Sequence, residues 1–225
     1  MERGETRINK FYVALAVLVL TLLIFTFLFG GNEINRAIVD SEYLTDGWAD
    51  LGDSTYVDRL LGLEKQASIK YGIEDDPDNS AFLTVTTIKT LFMMSEDELI
   101  EKTEETIIES AEDQNITLDE SSRLKSSRVL NNSHKTYYVL YNGSIISNNV
   151  SEEIVIIGEA WNCARSGASI ICIGYAQITD NANDLGYNYA SLIKILGDEE
   201  GTFVGRFNSF DFITEKALIF NVRCH

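Results

Sequence analysis

The chain of 225 residues carries three cysteines, Cys163, Cys172 and Cys224, and two histidines, His134 and His225. The apolar runs Glu153–Trp161 and Ser169–Ile178 flank Cys163-Ala164-Arg165-Ser166-Gly167-Ala168, whose Ser-Gly pair marks a hairpin turn. If the turn centres near Gly167–Ala168, the two cysteines face each other across the hairpin. Cross-strand Cβ atoms lie roughly 4.5–5.5 Å apart, so a bridge needs modest adjustment, and the register can slip by one residue. The expected disulfide is therefore Cys163–Cys172, which stabilises by about 2–3 kcal/mol in the chain-entropy picture. Cys224 is then odd, either buried and free or paired with one of the others. Cys224-His225 is too small a set for a four-ligand zinc site, and no metal is expected. A cysteine nucleophile needs an activating histidine; Cys224 with His134 is a conceivable pair that nothing in the sequence supports.

Carboxylates are the abundant functional groups. Asp75, Asp76, Asp78 and Asn79 form one oxygen-rich cluster, and Asp180, Asn181, Asn183 and Asp184 another. Neither has the glycine and distant glutamate of an EF-hand loop. The first reads as a solvated turn, and Asn183 or Asp184 as a helix cap. No nucleophile elbow, zincin, Walker or dinucleotide-binding motif is present. No catalytic residue and no cofactor is expected on these grounds. Asn115, Asn131, Asn142 and Asn149 each begin an N-x-S/T sequon, a glycan site only if the domain is exported in a cell that glycosylates.

Composition sets the setting. Lys and Arg number 18 against 35 Asp and Glu, a net charge of −17, which argues against nucleic acid as a partner because its recognition rests on neutralising phosphates. Residues 11–30 read FYVALAVLVLTLLIFTFLFG without a charge. As a helix such a run spans roughly 30 Å, the thickness of a bilayer's hydrocarbon layer. It is longer than a signal-peptide core, and no small-x-small cleavage site follows Phe29. Arg3, Arg7 and Lys10 precede it and only Arg36 closely follows, so positive-inside logic puts the N-terminus in the cytoplasm. The domains expected are a cytoplasmic tail (1–10), a single-pass transmembrane helix (11–30), a stalk (31–47) and an extracytoplasmic domain (48–225). A pilin leader would need a small residue directly before the apolar run, where Lys10 stands.

The element order follows from periodicity. Trp48 to Gly72 gives short strand or turn signals, with a helical turn at Tyr56–Leu63. Phe82–Phe92, FLTVTTIKTLF, reads as a strand. Ser95 caps a helix through a capping box with Glu98, and Leu99, Ile100, Thr103, Ile107 and Ala111 form its apolar stripe. Glu101, Glu104, Glu105 and Glu109 fill a solvated face. Asn115–Leu124 is a weak strand candidate. Lys135–Tyr141, Glu153–Trp161 and Ser169–Ile178 are strong ones. A second helix covers Asp184–Leu196, stopped by Gly197, and Thr202–Phe212 with Lys216–Cys224 closes the domain as a strand pair. The fold class expected is α+β: an N-terminal transmembrane helix followed by an antiparallel-sheet α/β sandwich with two main helices.

This order resembles that of the PsbP-like family. The pieces that carry the likeness are FLTVTTIKT, SEDELIEKTEETIIESA, KTYYVLYNGS, EEIVIIGEAWNCARSGASIICIGYAQI and YASLIKILGD, over about residues 48–197. Strands after Gly201 and a membrane anchor depart from that family. The resemblance implies a non-catalytic module that binds or stabilises a larger assembly, and it carries over no catalytic residue. The function expected is a membrane-anchored extracytoplasmic interaction module with a protein partner in a membrane or surface complex. Phe203, Phe207, Phe210 and Phe212 are the candidate interaction patch. The alternatives are an exported carboxylate-based hydrolase and a surface-filament subunit. A hydrolase should show two carboxylates converging in a pocket, a binding module an exposed apolar patch.

Overall fold

The computed structural model describes residues 34–59, 64–74, 80–130, 132–147, 150–178, 192, 194–197 and 217–225, with Tyr12, Leu15 and residues 17–21 of the N-terminal run. Nine strands and one long helix occur among them: β1 (Ile38–Val39), β2 (Trp48–Arg59), β3 (Glu64–Ile73), β4 (Ala81–Thr90), α1 (Glu96–Asp113), β5 (Thr117–Val129), β6 (Lys135–Ser147), β7 (Val150–Cys163), β8 (Ala168–Gln177) and β9 (Val222–Arg223). Seven of the strands form one antiparallel sheet in the order β2-β3-β4-β8-β7-β6-β5, and β1 pairs with β9 in a separate two-stranded ribbon.

Position in the sheet explains the sequence of each strand. β8 is central and has both faces covered, so Ala168 to Ala176 are all buried. β3 lies next to the edge and alternates, with Ala67, Ile69 and Tyr71 turned to the core. β5 is an edge strand, mostly exposed and rich in Ser and charge, a composition that discourages pairing with a further strand.

Two apolar layers follow. On one face α1 presses Leu99, Ile107 and Ala111 onto Val139, Ile156, Ala160 and Ile171. The Ser95–Glu98 capping box is present, with the Glu98 N–H donating to Ser95 Oγ at 3.3 Å and the Ser95 N–H to Glu98 Oε2 at 2.8 Å. The helix comes close because β7 has Gly158 beneath it; a Cβ there would stand 2.5 Å from Thr103 Cγ2. The opposite face is covered by residues 37–44, by Leu192, Ile195 and Leu196, and by Ala217–Cys224. The Ala37 N–H donates to Thr87 Oγ1 at 2.7 Å and the Val39 N–H to Tyr71 Oη at 3.0 Å, fixing the first of these segments to the sheet.

Several expectations are corrected. Among the described residues the chain is mostly β-sheet, and the expected two-helix sandwich behind a transmembrane helix is not supported. No described helix is long and apolar enough to cross a membrane, and most of residues 11–30 lies outside the described residues. Residues 34–47, expected within a stalk, hold buried Ala37 and Val39 and belong to the folded body. In place of short signals, residues 48–59 and 64–73 are two long antiparallel strands, β2 and β3. Val57 and Asp58, expected in a helical turn, pair with Gln66 and Lys65, because strand pairing overrides local preference. Of the second helix, Leu192 and residues 194–196 are described and helical; 184–191 lie outside the described residues, as does the proposed strand 202–212. In place of a strand over Lys216–Cys224 there is a 3-10 turn, Ile219–Asn221, followed by the short β9.

Candidate functional site

The expected Cys163–Cys172 bridge does not form. The β7–β8 connection is a four-residue loop, Ala164 to Gly167, closed by Gly167 N–H donating to Cys163 O at 2.9 Å. Gly167 takes φ +64°, a conformation open to glycine without strain. The register then sets Cys163 opposite Ala168 and Cys172 opposite Glu159. The two cysteines share a face but stand four residues apart along the strands, roughly 13 Å at 3.3 Å per residue. Cys172 is free and fully buried. Burial, and after it the negative charge of Glu159, pushes its thiol well above the usual range, so it is an inert structural thiol.

Cys163 instead pairs with Cys224 as a disulfide, with Cα atoms 6.6 Å apart. Cys163 is the last residue of β7 and Cys224 follows β9, so the bond ties the 217–225 segment to the sheet. Both of the chain's histidines gather at the same place. Cys224 Sγ lies 3.3 Å from His134 Nε2 and 3.5 Å from His225 Nδ1, and Cys163 Sγ lies 3.6 Å from His225 Nδ1. The four ligand atoms all fall within 4.8 Å of one another.

Local chemistry holds His134 there. It ends the turn between β5 and β6, in which Ser133 N–H donates to Leu130 O at 2.8 Å and Leu130 N–H to His134 O at 3.0 Å. Ser133 adopts φ +64°, a costly conformation for a residue with a side chain. Asn132 braces the turn on both sides: its Oδ1 accepts from the His134 N–H at 3.1 Å, and its Nδ2 donates to Val222 O at 3.2 Å. The turn that carries His134 is thus fastened to the strand that delivers Cys224. Behind it, the Trp161 ring lies 6.5 Å from the His134 ring and nearly parallel to it. Burial, reinforced by the charge of His225, lowers the His134 pKa and favours the neutral imidazole, the form that accepts a proton or a metal.

A second polar group lies under the same covering segment. Arg128 of β5 reaches Glu159 of β7, with Nε donating to Oε1 at 2.8 Å and Nη2 to Oε2 in a bidentate pair. Glu159 is wholly buried and Arg128 nearly so. Thr136 Oγ1 donates to Glu159 Oε1 at 2.5 Å, Arg128 Nη1 to Gly197 O at 3.3 Å, and the guanidinium stacks 4.3 Å from the centre of the Phe220 ring. The pair therefore fixes both the 194–197 and the 217–222 segments on the sheet.

A third feature is an apolar tip at the same end of the sheet. Leu91, Phe92 and Met93, between β4 and α1, are exposed, Phe92 by 80%. The backbone around it is fixed: Asn162 Nδ2 donates to Met94 O at 2.8 Å, and Ser169 Oγ steadies Asn162 Oδ1 at 2.6 Å. Glu98, Glu101, Lys102 and Glu105 of α1 join Phe92, Met93 and Met94 around an open hollow of about 480 Å³. The signal in the sequence was four apolar residues directly before the helix cap Ser95, where a connection is ordinarily polar.

Phe203, Phe207, Phe210, Phe212, Asn131, Asn149 and both oxygen-rich clusters lie outside the described residues. Asn115 is exposed in the turn after α1, at φ +57°, whereas Asn142 is half-buried in β6, between Asp119 and Val155. Glu104, expected on a solvated helix face, is half-buried and pairs with Arg123 and Lys125 of β5, the latter at 2.8 Å. Burial raises its pKa, but hydrogen bonds and charge from Lys125 and Arg123 outweigh this and hold it below the usual range. No family model, no curated protein and no solved structure matches the chain.

Proposed function

We propose that this chain is an extracytoplasmic, non-catalytic interaction module that docks a protein partner through its Leu91–Met93 tip. The observation that carries the reading is the exposure of Phe92 with Leu91 and Met93 on a connection whose backbone is pinned by Asn162. A rigid apolar projection loses little entropy on binding and offers an anchor of the kind that dominates protein interfaces. The carboxylates around it, Glu98, Glu101 and Glu105, select a partner whose apolar pocket has a basic rim.

The carboxylates whose titration is displaced fit this reading better than a hydrolase. Glu98 is held acidic by the helix cap, Asp119 by its turn with Ser121, and Glu104 by Lys125 and Arg123. Each serves structure, and each moves away from the raised pKa that a general acid requires. The disulfide supports an oxidising compartment. The apolar run 11–30 supports a place at a membrane surface. The likeness to the PsbP-like family rests on element order alone, and an accessory role in a larger assembly agrees with it.

Native purification with crosslinking and mass spectrometry tests the reading. The chain should bring down one stoichiometric membrane-associated protein, and Phe92→Asp should lose that protein while keeping the fold by circular dichroism. Retention of the partner by Phe92→Asp, or the lack of any stoichiometric partner, overturns it.

A further inference from the structure

The gathering of Cys163, Cys224, His134 and His225 is more than a disulfide requires. A disulfide needs only two sulfurs, yet both histidines of the chain present ring nitrogens to them. Tetrahedral zinc has Zn–S bonds of about 2.3 Å and Zn–N bonds of about 2.0–2.1 Å, which sets neighbouring S and N roughly 3.5 Å apart. Three of the four S···N separations are 3.3, 3.5 and 3.6 Å, and all four donor atoms lie within 4.8 Å of one another. Two thiolates with two imidazoles are a zinc donor set by softness as well as by number.

We propose that the reduced chain binds one Zn²⁺ at this place through Cys163 Sγ, Cys224 Sγ, His134 Nε2 and His225 Nδ1, so that disulfide and zinc are alternative fastenings of the same segment. To share zinc the sulfurs must sit about 3.8 Å apart, near twice the length of an S–S bond. The Cα atoms are already 6.6 Å apart, toward the long end of what a disulfide spans, so the side chains can part without moving β7 or β9. The cysteines are buried, His134 is half-buried and His225 is exposed, so an ion enters past His225 and closes its shell on the thiolates. The chemistry balances with a dithiol reductant. Two electrons and two protons pass from the dithiol to Cys163–Cys224, leaving two thiols here and a disulfide on the reductant. Zinc then displaces both thiol protons into solution. The inference does not rest on the docking tip, and either can fail alone.

The test uses the full chain in detergent micelles, reduced without oxygen by a phosphine, which ends as its oxide with the oxygen drawn from water. The reduced chain is desalted and titrated with Co²⁺ and then Zn²⁺. One cobalt per chain should bind, with thiolate-to-cobalt charge transfer and tetrahedral d–d absorption, and one zinc should displace it. The oxidised chain should show neither signal. Cys172→Ala should keep the site, Cys163→Ser should abolish it, and His134→Gln should weaken zinc by about tenfold or more. Circular dichroism is followed throughout, and a loss of structure on reduction that zinc reverses also supports the site. Substoichiometric uptake by the reduced chain, folded or not, overturns the proposal. So does a cobalt spectrum that survives Cys163→Ser or His134→Gln unchanged, or that requires Cys172.

Discussion

Removing one member of the Arg128–Glu159 pair strands a buried charge in the core. Among the described residues, Arg128→Met leaves a fully buried carboxylate with only Thr136 as a hydrogen-bond partner and takes away the cation over Phe220. Breaking a buried pair from one side costs about 3–5 kcal/mol, mostly as the penalty of an uncompensated charge. For a domain of this size that corresponds to a fall in Tm of roughly 6–20 °C at 2–4 °C per kcal/mol. Glu159→Gln should cost less, because the amide keeps an acceptor for Arg128. Arg128→Met with Glu159→Leu should recover much of the loss, since an apolar pair of similar volume is often as stable as the ion pair. Urea denaturation measures all three, and hydrogen exchange locates the effect. In Arg128→Met, the amides of residues 217–222 should lose protection before those of β7 and β8, because Arg128 reaches the covering segment through Gly197 and Phe220. A cost below about 1 kcal/mol, the value of an exposed pair, would falsify the account of this group as the fastening of the cover.

Peptide mapping without reductant should find Cys163 joined to Cys224, and Cys172 should resist alkylation until the chain unfolds; in the chain-entropy picture, a loop of separation 61 makes the bond worth about 4 kcal/mol, to be measured with Cys224→Ala. Glu104 has a folded pKa below its unfolded value, so its contribution is fully present above the ordinary glutamate range and is lost as pH falls through the folded pKa. Glu104→Gln should therefore destabilise the chain at pH 7 and flatten the acid limb of its stability profile. In a host that glycosylates, Asn115 should carry a glycan and Asn142 should not, read as mass shifts of the tryptic peptides, because the first is exposed in a turn and the second is paired on both sides within β6.

Local signals in the sequence were reliable where they were chemically specific. The Ser95–Glu98 box and the stripe Leu99, Thr103, Ile107, Ala111 define α1, and the Thr/Val/Ile run defines β4 over Ala81–Thr90. The β2–β3 pair leaves little local signal, because the outward positions of β3 are the polar Glu64, Gln66, Ser68 and Lys70. The cysteine pairing failed on register: a turn centred near Gly167–Ala168 would set Cys163 and Cys172 face to face, whereas the four-residue loop Ala164–Gly167 centres it on Arg165 and Ser166. The Cys/His cluster was beyond any local rule. His134 and Cys224 are 90 residues apart, and only the docking of β9 beside β1 and the turn at Asn132 brings them together. The apolar tip was legible in composition, as Leu91-Phe92-Met93-Met94, but its exposure depends on where α1 lands.

The docking role is tested most directly by placing a photoreactive phenylalanine analogue at position 92 and irradiating the chain in its native membranes. A single covalent adduct with one protein, lost when the analogue is moved to the exposed edge position Val129, is the predicted result. Adducts with lipid alone, or the same products from both positions, would contradict it.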